Sequence, residues 1–547
     1  MKEKVAISVF LLVAFLVHAP FLFYLAGDAQ VHLAVAERFA EGQPFRFNKS
    51  GELVNASTSP FWTMMLTFFF LVSKHYAPLL LKVVVAAFWI ATSYLVYKIA
   101  LDFFELRKFV LYSLMGIWLT NVALIANALG GLENILTCLQ LLGLYILSVK
   151  YLRYSTGRHI VVVGLFVGWM ILTRPEGGFL GMVVVLIFFV AKFFMKSENT
   201  MRRRVLILLK NLALTAFSSI LVILPWYVFQ YLITGSLITD SSVARLFAGR
   251  RDSFEIIRGV LYFHPKASIT LATVFFPISV GSFISMTSLF SRFRFRRFWW
   301  RNFSDVAPIY HEIVSMTLIL IGVLFYSFII GADHFGRYFL PILPFFFLLG
   351  FKGLQRLNEM MPAKHMLASK VFMTMAVVYL FLGSSLDYYR RVRTGEHFSS
   401  NLFKTISAPA LRKENTDNLL HKLGVPSAEK IKFAVTEVQQ RYFFDDRIII
   451  LSLDGRSSSN IMNYVDKNTG IPNFEQYFAY EKPDFVELGQ WCSSGGWLAR
   501  VFSQTRPQNL ICTWENEVRQ MQLGDRFYWN GHQVTYVCPH IVRIIWL

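Results

Sequence analysis

Charged residues are scarce in this sequence of 547 residues. Asp, Glu, Lys and Arg together make up 16% of the chain, whereas hydrophobic residues make up 55% and the mean hydropathy is +0.47. These values exclude an ordinary soluble globular protein, whose composition is much more polar. Apolar runs of membrane-spanning length recur along residues 5–386, which predicts a polytopic α-helical membrane protein.

Motifs for nucleotide, zinc or serine-nucleophile chemistry are missing from the sequence. It has no Walker A loop, no glycine-rich dinucleotide fingerprint after a strand, no HExxH and no GxSxG. These absences argue against P-loop hydrolases, nicotinamide-dependent oxidoreductases, zinc peptidases and serine hydrolases. We therefore expect no cofactor.

Acidic residues are the rarer charge, because 34 Asp and Glu accompany 54 Lys and Arg, for a net charge of +20. The basic residues cluster in short linkers between apolar runs, where they set membrane orientation. We therefore expect membrane lipids as partners and no nucleic acid. The linkers placed in the cytoplasm on this basis are residues 150–159, 196–204, 291–301 and 352–370.

This orientation predicts about 11 spans in a multi-pass protein of the plasma (inner) membrane, beginning with an uncleaved span at residues 5–26. Residues 61–73 are apolar but shorter than the roughly 17–25 residues that a crossing requires. They are predicted to form a re-entrant or interfacial helix. Twelve or thirteen spans are the alternative. An odd number of spans places the C-terminal region outside the cytoplasm.

The composition turns polar at residue 387. Ile431–Val435 and Arg447–Leu453 then have the pattern of short buried strands. Residues 387–547 are therefore predicted to form an extracytoplasmic α/β domain after a transmembrane domain at residues 1–386. Three of the four cysteines lie in this domain, where one disulfide is allowed and its pairing stays open. They are Cys492, Cys512 and Cys538, whereas Cys138 is expected to pack within a span.

Residues 27–60 form the predicted first extracytoplasmic loop. Asp28 stands at the exit of the first span, before an amphipathic helix predicted at residues 30–41. An ionisable residue at a membrane boundary is energetically costly and is therefore a functional candidate. The alternative is that Asp28 only caps the helix, because Asp is a favoured N-cap residue. Glu37 and Arg38 are expected to lie on a solvated face.

Further polar motifs follow in a fixed order along the chain. They are Gly131-Leu132-Glu133, the TRPEG stretch at residues 173–177, YLITGSLITDSSVAR at 231–245, GADHFGRYFLPILP at 331–344 and AVTEVQQRYFFDDRIIILSLDG at 434–455. Together with the first loop, this ordered set resembles the bacterial GT-C superfamily of membrane glycosyltransferases, including its arabinosyl- and mannosyltransferase-like members. Those enzymes use sugars linked to polyprenyl phosphate.

The resemblance implies an inverting glycosyltransferase, hexosyl or pentosyl, that acts at the outer face of the membrane. Its donor would be a polyprenyl-phosphate-linked sugar, and its acceptor a cell-envelope glycan, a lipid or a protein. Direct transfer needs a base for the acceptor hydroxyl proton, and Asp28 is the candidate. Many relatives have paired aspartates here, whereas this chain has Gly27 and then Asp28. The loop at residues 231–245 lacks the Pro-Asn pair of relatives, so its role in substrate binding stays open.

Cationic and polar residues of the predicted outer face are the candidate substrate ligands. Arg337 is the first choice for the donor phosphate, because arginine suits bidentate phosphate contacts. The other candidates are His32, Arg245, Asp333 and His334. Arg174 is expected to pair with Glu133 or Glu176 as a structural element, with phosphate binding as the alternative.

A divalent metal ion held by Asp28, Asp333 and His334 is a further alternative. Carboxylates and imidazole suit Mg²⁺ or Mn²⁺, but these three residues lack a close ligand spacing. No metal ligand is therefore assigned.

A lipid or glycan transporter or flippase is the main alternative function, and a membrane-anchored receptor is the second. A transporter of this size would show inverted repeats and ionisable groups at the bilayer midplane. Here the polar motifs fall on one predicted face and charges within spans are few, which favours the enzyme.

Overall fold

A computed structural model describes most of the chain. The described residues are 18, 21–22, 24–49, 53–55, 57–154, 157–194, 200–239, 278, 280–285, 287, 303–325, 338–360, 374–375, 378, 401–435, 442–452, 473–487, 514, 521–530, 532–538 and 541–546. The predicted boundary between residues 386 and 387 lies outside them and stays a prediction. The described residues also do not include four of the predicted substrate ligands, Arg245, Asp333, His334 and Arg337.

The N-terminal part of the described chain is helical, and strands occur only in its C-terminal part. The helices are α1 (Gly27–Ala40), α2 (Pro60–Val72), α3 (Ala77–Asp102), α4 (Lys108–Thr120), α5 (Val122–Leu129), α6 (Asn134–Tyr154), α7 (Gly157–Thr173), α8 (Pro175–Phe194), α9 (Met201–Thr234), α10 (Phe303–Phe325), α11 (Leu343–Met360), α12 (Asn401–Lys422) and α13 (Phe474–Glu481). The strands are β1 (Ile431–Val435), β2 (Ile448–Ser452), β3 (Phe485–Glu487), β4 (Arg526–Trp529), β5 (His532–Cys538) and β6 (Ile541–Ile545).

The chain divides into two compact units, each built from separate parts of the sequence. The first comprises Met1–Leu25, Lys82–Trp226 and Ile256–Asn401. The second comprises Ala26–Leu81, Tyr227–Glu255 and Leu402–Leu547. The first loop and the C-terminal region therefore belong to one unit, which the sequence did not predict.

The first unit is a bundle of packed apolar helices. Helices α6, α7 and α8 pack on one another, and α8 also contacts α10. Glycines allow α7 to approach α9 closely, because a Cβ at Gly164 would lie 2.6 Å from the carbonyl oxygen of Thr215. The Ser219 hydroxyl donates to the Gly164 carbonyl at 2.8 Å, so this contact is also hydrogen-bonded. Cys138 is fully buried in α6, as predicted.

The apolar run at residues 108–127 is continuous in the sequence and long enough for one span, but the structure divides it into two helices. Helix α4 ends at Thr120, and Asn121 begins α5 as its N-cap, with its side chain accepting from the backbone N–H of Leu124. Asparagine is a strong N-cap residue, which explains why a new helix begins here.

The second unit contains a mixed sheet in its C-terminal part. Its order among the described strands is β2-β1-β3-β6-β5-β4, with β1 parallel to β2 and β3 and the remaining pairs antiparallel. A core of aromatic and aliphatic side chains covers one face, where Phe478 of α13 contacts Trp514 and Trp529. The two strands predicted from the sequence correspond to β1 and β2.

Three described helices are long and apolar enough to cross a membrane: α3, residues 175–193 of α8, and α9. Shorter apolar helices accompany them, among them α2 with 13 residues. At 1.5 Å per residue, α2 is about 20 Å long and does not match a hydrocarbon core of about 30 Å. The chain is a polytopic helical membrane protein, and the predicted count of 11 spans stays a prediction.

The predicted orientation makes α2 non-crossing and places residues 73–76 outside the cytoplasm. We expect a cysteine in place of the exposed His75 to react with a membrane-impermeant thiol reagent added outside intact cells. A cysteine in place of Arg203, at the exposed start of α9, should react only after the membrane is opened. Labelling of position 75 only from the cytoplasmic side would require a further span.

Candidate functional site

Asp28 is the second residue of helix α1, in the second unit. The helix begins at Gly27 and its N-cap position is Ala26, so the predicted start at residue 30 and the capping role of Asp28 are both wrong. A carboxylate in the first turn still interacts favourably with the helix dipole. Asp28 and His32, one turn further on, are both half-buried. The structure thus places an acidic group and an imidazole on the same side of the helix start.

Helix α1 also carries a buried ionic cluster that the sequence did not reveal. Glu37 is 1% exposed and Arg38 is 5% exposed, so the prediction of a solvated face is wrong. The Glu37 carboxylate accepts two hydrogen bonds from the Arg412 guanidinium, at 2.9 and 2.6 Å. Lys74 lies 3.3 Å from the same carboxylate. Arg38 contacts Asp446 at 3.1 Å.

Arg412 lowers the pKa of Glu37, whereas burial alone would raise it. Burial raises the pKa of Glu37, but the hydrogen bonds and charge of Arg412, with smaller contributions from Lys74 and Arg38, hold the net pKa below its ordinary value of 4.5. Because the pKa of Glu37 is lower in the folded protein than in the unfolded chain, the ionised carboxylate stabilises the folded protein at pH values above the unfolded-state pKa. This stabilisation is lost as the pH falls through the lowered pKa.

We therefore expect the effect of Glu37→Gln on thermal stability to depend on pH. The difference in unfolding temperature between wild type and variant should be largest near neutral pH and should shrink as the pH drops below 4.5. Other titrating groups are present in both proteins, so their contributions to stability cancel in this difference. A difference that stays constant down to acid pH would show that the charge of Glu37 does not stabilise the fold.

The first unit contains a second buried cluster, centred on Arg174 between α7 and α8. Arg174 Nε donates to Glu176 at 2.9 Å, and Nη1 lies 3.0 Å from the Glu133 carboxylate. Nη1 also donates to the side chain of Asn134, and the guanidinium lies 4.7 Å from the centre of the Tyr338 ring. The cluster thus joins the predicted motifs at residues 131–133 and 173–177 and includes Tyr338 of the predicted motif at 331–344.

Lys82 is a buried cation that the sequence analysis missed. Its ammonium group donates to the carbonyls of Phe21 at 3.0 Å and Tyr24 at 2.7 Å, and also to that of Leu129. The three N–H groups of the ammonium are thus matched by three backbone carbonyl oxygens. Two of these carbonyls precede residue 25 and the third is at the C-terminal end of α5. A lysine within an apolar helix was the available signal, since buried charges require such partners.

The described residues contain no group of three or more His, Cys, Asp or Glu side chains placed to hold a metal ion. Two of the three residues considered for this role, Asp333 and His334, are not among them. The remaining substrate candidates Arg245 and Arg337 are likewise not described, so their roles stay predictions.

Comparison with solved structures identifies the fold. The chain is similar to the crystal structure of ArnT from Cupriavidus metallidurans bound to undecaprenyl phosphate, with a TM-score of 0.51 and 12% identity over 99% of this chain and 97% of that chain. The apo structure of the same protein matches with a TM-score of 0.51 and 13% identity over 93% and 95%. No protein-family model matches the chain, and no curated protein matches it significantly. The chain therefore has the fold of these structures, a GT-C-type fold.

Proposed function

We propose that this chain is an inverting glycosyltransferase that transfers a monosaccharide from a polyprenyl-phosphate donor to a cell-envelope glycan, lipid or protein. The reaction would occur at the outer face of the plasma membrane. The proposal rests on the position of Asp28, which lies in the first turn of helix α1 in the first loop. The chain that contains this helix has a GT-C-type fold. The polyprenyl phosphate bound to ArnT supports a lipid donor here.

Asp28 would act as the general base. The acceptor hydroxyl oxygen forms a bond to the anomeric carbon, while the bond from that carbon to the phosphate oxygen breaks. The acceptor proton passes to the Asp28 carboxylate, and polyprenyl phosphate leaves with the electron pair of the broken bond. A single displacement of this kind inverts the anomeric centre and needs no covalent enzyme intermediate.

Arg174 is poorly suited to bind the donor phosphate. Its guanidinium is already in contact with the carboxylates of Glu133 and Glu176, so within the described part of the chain two negative charges face this one positive charge. A phosphate brought to this cluster would face two carboxylates. This supports a structural role for Arg174, and it leaves Arg337 as the first candidate for the phosphate, with Arg245 second.

We expect Arg337→Ala to weaken donor binding and leave the folded protein intact. A lost hydrogen bond to a charged group costs about 1.5–3 kcal/mol, which corresponds to an increase in donor KM of roughly 10- to 100-fold. Steady-state kinetics with varied donor would measure it. Arg107→Gln is the control, because the Arg107 side chain is 61% exposed and its ion-pair partner within the described residues is Glu359. An unchanged donor KM in Arg337→Ala would remove this residue from the phosphate site.

His32, Asp333 and His334 would contact the hydroxyl groups of the donor or acceptor sugar. His32 supports this role by its position one helical turn after Asp28.

Reconstituted protein distinguishes the enzyme from a transporter. In liposomes that contain a polyprenyl-phosphate-linked radioactive sugar, a glycosyltransferase moves the label to an acceptor from an envelope extract. A flippase instead moves the intact labelled lipid between leaflets without forming a new glycosidic product. Leaflet exchange without transfer would overturn the proposed function.

A further inference from the structure

The candidate base and the buried carboxylate Glu37 lie on one rigid helix. Asp28 is the second residue of α1, and Glu37 follows nine residues later in the same helix. At 1.5 Å per residue, the two positions are about 13 Å apart along the helix axis. A contact that fixes Glu37 therefore also fixes the height and rotation of the helix start.

Arg412 holds Glu37 through a two-pronged ion pair. The two residues are 375 positions apart in sequence, and the two hydrogen bonds join separate guanidinium nitrogens to separate carboxylate oxygens. Such bidentate pairs fix relative orientation as well as distance. Both side chains are largely shielded from solvent, with 14% and 2% of their surfaces exposed. Water and salt therefore screen this pair little.

Arg412 is itself held in place by the C-terminal region. Its Nε donates to the carbonyl of Tyr442 at 3.0 Å, and its guanidinium lies 5.0 Å from the centre of the Tyr442 ring. Arg412 belongs to α12, and Tyr442 lies shortly before β2. The guanidinium is thus oriented by a backbone carbonyl, an aromatic ring and the carboxylate that it binds.

Asn48 attaches the first loop to the sheet. Its side-chain amide donates to the carbonyl of Ile450 at 2.9 Å, and its side-chain oxygen accepts from the N–H of Ile450 at 3.1 Å. Ile450 lies in β2, the end strand of the described sheet. The amide thereby satisfies edge groups that a neighbouring strand would otherwise pair. The first loop is therefore held against the C-terminal region by the Asn48 amide as well as by the ion pairs of Glu37 and Arg38.

We propose that the Glu37–Arg412 ion pair is a positioning device for Asp28, so that the C-terminal α/β region is part of the catalytic machinery. The inference rests on the proposed function, because it assigns Asp28 as the base. Proton transfer needs the base within hydrogen-bond reach of the acceptor. A misplacement of 1 Å costs on the order of 10²-fold in rate, so a small rotation of α1 suffices.

The test compares Glu37→Gln, Arg412→Gln and Arg412→Lys in the full-length reconstituted protein. Asp417→Asn is the matched control, because Asp417 lies on the same helix as Arg412 but pairs with Arg447, at 2.6 Å. We expect kcat per folded molecule to fall about 10- to 100-fold in the two Gln variants, with donor KM unchanged. Arg412→Lys should keep a higher kcat than Arg412→Gln, because lysine retains the positive charge. Its kcat should stay below that of wild type, because lysine cannot form the bidentate contact.

Hydrogen–deuterium exchange of the peptide spanning residues 27–40 gives a readout that does not depend on activity. We expect faster exchange in Arg412→Gln and unchanged exchange in Asp417→Asn. Variants with wild-type kcat per folded molecule would overturn the positioning role, and so would unchanged exchange in Arg412→Gln. A wild-type protein without transfer activity would instead overturn the proposed function, and the exchange rates alone would then decide whether the ion pair orders α1.

Discussion

Asp28→Asn is expected to lower sugar transfer by about 10²–10⁴-fold while donor binding stays near its wild-type value. The substitution keeps the size of the side chain and removes its ability to accept a proton. It does not remove a helix cap, because the N-cap position is Ala26. The loss of a negative charge from the first turn of the helix is expected to cost about 0.3–1 kcal/mol.

The rate of transfer and the affinity for the donor should be measured on the same purified sample. Asp102→Asn is a suitable control, since Asp102 is 43% exposed and pairs with Lys98 at the end of α3. This control should retain normal transfer. Near-normal turnover by Asp28→Asn would show that the base lies elsewhere. Asp333 would be the next candidate, and the enzyme assignment itself would be in question if it too could be replaced.

Arg174→Met should destabilise the protein strongly, because it removes the buried cation that contacts the carboxylates of Glu133 and Glu176. Glu133 is 3% exposed, and Glu176 is also largely buried. Removing one partner of a buried ion pair typically costs about 3–5 kcal/mol. We expect a large drop in unfolding temperature in detergent and a lower yield of folded protein.

Arg107→Gln is the matched control for this substitution. Arg107 pairs with Glu359 at 2.9 Å, but both side chains are substantially exposed. An exposed pair contributes about 0–1 kcal/mol, so this variant should unfold near the wild-type temperature. If Arg174→Met were as stable as wild type but failed to bind donor, Arg174 would be a phosphate ligand and its structural assignment would be wrong.

Local patterns in the sequence predicted the elements that depend on nearby residues. The short apolar run at residues 61–73 predicted a helix, and the structure shows helix α2 at Pro60–Val72. The strand at Ile431–Val435 was predicted from a short apolar run, and β1 has the same bounds. In each case the run of apolar residues and its polar flanks contain the whole signal.

The ionic cluster of α1 could not be predicted in this way. Glu37 and Arg38 are adjacent opposite charges, a pattern that is typical of solvated helix faces. Their burial depends on Arg412 and Asp446, which lie roughly four hundred residues further along the chain. No local pattern indicates which distant cation pairs with which carboxylate. The break at Asn121 was missed for a different reason, because one capping residue interrupts an otherwise continuous apolar run.

The most direct test of the account is the stoichiometry of product release from three donors that carry the same sugar. The donors are a polyprenyl-phosphate sugar, a polyprenyl-diphosphate sugar and a nucleotide sugar, each incubated with purified protein and acceptor. The account predicts one polyprenyl phosphate released for each sugar transferred from the monophosphate donor, and no transfer from the nucleotide sugar. Transfer from the nucleotide sugar alone, or no transfer from the monophosphate donor, would contradict it.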